Sequence, residues 1–105
     1  MASELASNWA VRADADDGCV PEISRFFGIR ISMYFDEHRP PHFHARYGEH
    51  TASIGIESLA VIAGHLPSRA LGLVVEWGAM HRHELQADWD RARQAEPLQP
   101  IEPLR

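Results

Sequence analysis

The sequence predicts an α+β domain: an antiparallel sheet of three or four strands, one long helix packed on its apolar face, and an extended Pro-rich C-terminal tail. Three observations lead there. Apolar and polar residues alternate through 27–35, 42–47 and 51–56, the period of half-buried strands. From Ser68 to Arg93 the apolar residues recur instead at three and four positions, the period of an amphipathic helix. The stretches between the alternating segments are too short for parallel crossovers, so the strands should follow one another as an antiparallel meander.

The first 20 residues show no sustained period and are expected to be an extension outside the fold, leaving 21–105 as a single domain. The first expected strand runs from Phe27 to Phe35, with Phe27, Ile29, Ile31, Met33 and Phe35 on its inner face. Pro40-Pro41 ends the following connection, because a double proline cannot continue a central ladder. Alternation resumes at His42, with Phe43, Ala45 and Tyr47 facing in. Gly48-Glu49-His50 reads as a tight turn, and Ala52, Ile54 and Ile56 face in from the next strand. Leu59 to Ala63 is a short further strand. Pro67 suits the first turn of a helix. The helical stripe is Leu71, Val74, Gly78, His81, Leu85, Trp89 and Ala92, widened by Val75, Trp77 and Met80, with a bend expected near Gly78. In the tail, prolines at 97, 100 and 103 would set Leu98, Ile101 and Leu104 on one side of a polyproline II helix, for docking on the body or on a partner, the alternative being a solvated linker.

Composition narrows the function classes. The chain has 105 residues, 45% hydrophobic and 24% charged, as in an ordinary globular domain. No apolar run approaches the length that spans a bilayer, and no membrane association is expected. A lone cysteine, Cys19, excludes an internal disulfide framework and fits a cytoplasmic setting. The net charge of −5 disfavours wholesale capture of nucleic acid, yet Glu4, Asp14, Asp16 and Asp17 against Arg12 place −3 of it in the extension. All ten basic side chains are arginine.

The candidate chemistry lies in Arg39-Pro40-Pro41-His42-Phe43-His44-Ala45-Arg46-Tyr47. His42, His44 and Arg46 are spaced by two on a strand and therefore share a face, and Arg30, Ser32 and Tyr34 share the polar face of the neighbouring strand if the register allows. Histidines that titrate near neutrality beside an arginine that grips phosphate are the inventory of a metal-independent ribonuclease. The candidate catalytic set is accordingly His42, His44, Arg46 and Tyr34. The same histidines would equally serve partner contact, or half of a transition-metal site; which metal or cofactor, if any, the sequence leaves unknown. A three-histidine site of His42, His44 and His81 conflicts with the periodicity, which turns His42 and His44 away from the face the helix covers. There is no phosphate loop, nucleophile elbow or zinc-ribbon pattern.

From Pro21 onward the segments PEISRFFGIRISMYF, HRPPHFHARYGEH, LPSRALGLVVEWGAMHRHEL and EPLQPIEPL resemble a small bacterial family, Domain of Unknown Function 4160. The positions that carry the resemblance are Arg25, Phe26, Phe27, His42, Phe43, His44, Trp77, His81, Glu84, Leu85 and Trp89. The resemblance implies a cytoplasmic component of a toxin–antitoxin-like pair with a small, antitoxin-like cognate protein as partner. It assigns no catalytic role to any residue. The expectation formed from both lines is a toxin acting on RNA, with His42 and His44 as acid and base and Arg46 as phosphate holder. The alternatives are a non-enzymatic protein–protein interaction module and a metal-binding protein; besides the cognate protein and RNA, a second copy of the chain in a homo-oligomer is a candidate partner.

Overall fold

A computed structural model describes residues 21–35 and 39–105. The expected extension (1–20), Cys19 and His38 lie outside the described residues. Five strands form one antiparallel sheet in the order of the chain: β1 (Glu22–Phe26), β2 (Ile29–Ser32), β3 (His42–Tyr47), β4 (His50–Gly55) and β5 (Val61–Gly64). Two helices follow, α1 (Ser68–Met80) and α2 (Arg82–Arg93). The α+β class and the meander are as the periodicity predicts, but the sheet has five strands rather than three or four, and the helix is two.

The extra strand comes from a hairpin that alternation alone hides. Phe27 and Gly28 are the two central residues of the β1–β2 turn, and both have positive φ, 49° and 81°. That is the backbone of a type I′ turn, which matches the twist of the flanking strands and takes glycine without steric cost. Phe27 therefore stands on the turn, 60% exposed, instead of on the inner face. The turn between β3 and β4 is the two-residue Gly48-Glu49, close to the expected place. The last strand is shifted: Leu59 sits buried in the turn before it, and β5 starts at Val61.

The single long helix breaks at His81, whose φ of −124° lies outside the helical range. Its N–H is shared between the carbonyls of Trp77 and Gly78, 3.2 Å from each. The glycine expected to bend the helix has a different use. A Cβ at Gly78 would stand 2.8 Å from Leu59 Cδ2 and 3.7 Å from the Phe43 ring, so its lack of a side chain is what lets α1 approach the sheet. Met80, placed on the stripe by the sequence, is 62% exposed at the end of α1.

The core joins Ile29, Ile31, Phe43, Ala45 and Ile54 of the sheet to Val74, Trp77, Leu85 and Trp89 of the helices. Trp77 is its hub. Its ring meets Phe26 at 5.4 Å and Phe43 edge-on at 5.8 Å, while its indole N–H donates to the Glu102 carbonyl at 2.8 Å. The tail docks on the body, one of its expected roles, with Leu98, Ile101 and Leu104 all buried. The Ile101 N–H donates to the Ile23 carbonyl at 2.7 Å, tying the tail to the outer edge of β1. Asp88 of α2 accepts the Gln99 N–H at 2.9 Å and Arg91 Nη1 at 2.7 Å on the same oxygen. Its Oδ2 is buried and receives no hydrogen bond among the described residues. Burial thus pushes the Asp88 carboxyl above the usual carboxylate range, against the opposing pull of Gln99 and Arg91.

Candidate functional site

β3 is the middle strand of the sheet, so side chains on its outer face have neighbours on both sides. The register makes three rows. His42 stands opposite Gly55; His44 lies between Ser32 and Ser53; Arg46 lies between Arg30 and Thr51. Directly opposite residues of an antiparallel pair project to the same side. The structure therefore brings His44, Arg46 and Arg30 onto one face, as the spacing predicts.

The two histidines occupy different surroundings there. His42 is only 8% exposed. Its Nδ1 is 2.7 Å from the Pro40 carbonyl, and because a carbonyl oxygen can only accept, Nδ1 carries the hydrogen. The ring also lies 5.2 Å from Trp89 of α2. The expectation that His42 turns away from the helical layer is thus corrected: beyond the break at His81, α2 reaches the start of β3 through Trp89. His42 links that helix to the proline lead-in, which is further fixed by the Ile56 N–H bonding to the Pro41 carbonyl at 3.0 Å.

His44 is half-buried and farther along the strand. It stacks on Tyr34 with centroids 4.1 Å apart and planes 17° from parallel, and its Nδ1 is 3.3 Å from Ser53 Oγ. The two imidazoles meet edge to face at 5.1 Å. Arg46 is exposed, with its Nε donating to the Gly48 carbonyl at 3.2 Å, a local bond that orients the guanidinium over the β3–β4 turn. All four candidate residues, His42, His44, Arg46 and Tyr34, thus gather on or beside one sheet face.

His81 is elsewhere. Its Nδ1 is 2.5 Å from Glu84 Oε1 and its ring is 5.5 Å from Trp77. This is the partnered, core-side histidine that its place on the helical stripe implies, and Glu84 is its partner. Among the described residues no three His, Cys, Asp or Glu side chains converge in a way that could hold a metal ion.

Two participants are not evident from local pattern. Ser53 beside His44 depends on the β3–β4 register. Arg25 lies directly opposite Arg30, and so joins the Arg46 row, only because the Phe27-Gly28 turn folds β1 back. The adjacent pair Phe27-Gly28 was the one local signal for that turn.

Among the described residues, a five-stranded meander with a helix pair packed on one face, a docked tail, and a histidine and arginines on the opposite face defines the class of molecule. Residues 28–90 match the family model described as a domain of unknown function (DUF4160), and the chain belongs to this family. No curated protein and no solved structure shows significant similarity to the chain. No helix among the described residues is long and apolar enough to cross a membrane.

Proposed function

We propose that this protein is a cytoplasmic component of a bacterial toxin–antitoxin-like pair that acts on RNA through the polar face of its sheet. The observation that carries the reading is the placement of His44 and Arg46 on that face of the central strand, with Tyr34, from just beyond β2, stacked on His44. Arg46 is exposed and suited to hold a phosphate with its planar fork. His44 is the group suited to move a proton at the adjacent ribose or phosphate oxygen, and its stack on Tyr34 and approach to Ser53 limit the ring's orientations. His42 fits a positioning role better than that of a second proton-transfer group, because its Nδ1–H and its ring are engaged with Pro40 and Trp89. RNA cleavage and growth inhibition by wild type and His44→Ala test this. Loss of both in the variant, with folding retained, is expected; equal behaviour of the two proteins removes the histidine chemistry.

A second reading, a protein–protein interaction module, is favoured by one observation. β5 is an outer strand of the sheet, exposed along its length, with Val61 and Ile62 38% and 47% exposed. Such an edge accepts a partner strand through main-chain hydrogen bonds. Replacing Ile62 by Lys would abolish complex formation with the cognate protein on this reading and leave the fold intact, while wild type would cleave no RNA.

A further inference from the structure

The register places Arg25, Arg30 and Arg46 directly opposite one another on three adjacent strands. All three are exposed and project to the same side. With strands about 4.8 Å apart, the row extends about 10 Å across the sheet. Like charges set directly opposite one another disfavour each other, and the Glu22 carboxylate paired with Arg25 offsets one of the three, in a chain whose net charge is −5. Arg25 is held by a two-pronged pair with Glu22, at 2.9 and 2.8 Å, and Arg46 by its bond to Gly48. Beside the row, one strand position along β3, lies the Tyr34–His44 stack.

We infer that the Arg25–Arg30–Arg46 row is a phosphate track for single-stranded RNA, running across the strands and leading the chain past His44. The inference rests on the RNA reading above and names the binding mode. A linear polyanion with regularly repeated charge complements a linear row of arginines. A flat aromatic–imidazole pair alongside offers a surface for a base, the combination that single-strand-binding sheets use.

The test is equilibrium binding of a fluorescent, uncleavable 2′-O-methyl oligoribonucleotide to the full chain across a salt series. Three phosphate contacts give a slope of log K against log salt of about −2 for a single strand, and each arginine removed takes away about 0.7. Arg25→Gln and Arg30→Gln should each show that reduction, with affinity about tenfold lower. Arg69→Gln, an exposed arginine at the start of α1, should change neither. Unfolding curves confirm that the variants remain folded. Absence of binding, slopes indifferent to Arg25 and Arg30, or equal competition by polyglutamate would overturn the track, the last result pointing to an acidic protein. RNA bound in this way but never cleaved would remove the His44 chemistry and leave the track standing. Cleavage that needs His44, with slopes indifferent to the arginines, would do the reverse.

Discussion

On the helix side of the sheet, Ile29, Ile31, Phe43 and Ile54 are wholly buried under Trp77 and its neighbours. On the other side, the same strands present Arg30, His44 and Arg46 in rows set by the same register. Every inward residue is fixed by packing, whereas the outward residues are held by a few polar or stacking contacts. A substitution on one side should therefore be read mainly in stability, and on the other mainly in binding. His42 tests that division, since it belongs by spacing to the outer face but is packed against Trp89.

The largest expected effect is at the hub. Trp77→Ala empties the contact between Phe26, Phe43 and the tail and forfeits the bond to the Glu102 carbonyl, a loss of about 3–5 kcal/mol measured by urea unfolding. A loss below about 1 kcal/mol would show that the inner face is not organised around this residue.

Next is the tail clamp. Asp88→Ala leaves the Gln99 N–H and Arg91 without their shared acceptor and should cost about 2–3 kcal/mol, with increased proteolysis after Glu96. The pH dependence has a definite sign. The Asp88 carboxyl titrates higher in the fold than in the unfolded chain, so the native state binds this proton more tightly. The resulting stability is fully present below the ordinary carboxylate value of about 3.9 and is lost as pH rises through the folded value. The stability difference between wild type and Asp88→Asn should therefore shift against wild type as pH rises through that window; a difference independent of pH would contradict the assignment.

His42→Ala should fall between the two classes, at about 1–2 kcal/mol, because it removes one hydrogen bond and one aromatic contact. A change indistinguishable from zero would return His42 to the outer face in energetic terms, and with it the two-histidine mechanism.

How much of this was legible in the sequence follows from the range of the forces involved. The inner faces of β3 and β4 and the helical stripe were readable, because burial imposes a period on each element separately. The Phe27-Gly28 turn was missed because Phe27 continues the alternation of the strand after it, a pattern that outweighed the turn signal of Gly28. One long helix with a bend near Gly78 was expected because glycine is a poor helix former, but tertiary contact with Leu59 uses that glycine and the helix breaks instead at His81. Of the candidate site, the shared face of His44 and Arg46 is a local consequence of strand period. Arg25, Ser53 and Trp89 reach it through register and helix placement, which no local pattern encodes.

The division between the two faces is tested most directly by Arg46→Gln, with urea unfolding and RNA cleavage measured on one preparation. Stability within about 0.5 kcal/mol of wild type, as for an exposed position, together with cleavage reduced at least about tenfold, is the expected result. A variant destabilised by more than about 1.5 kcal/mol that cleaves RNA as well as wild type would contradict it.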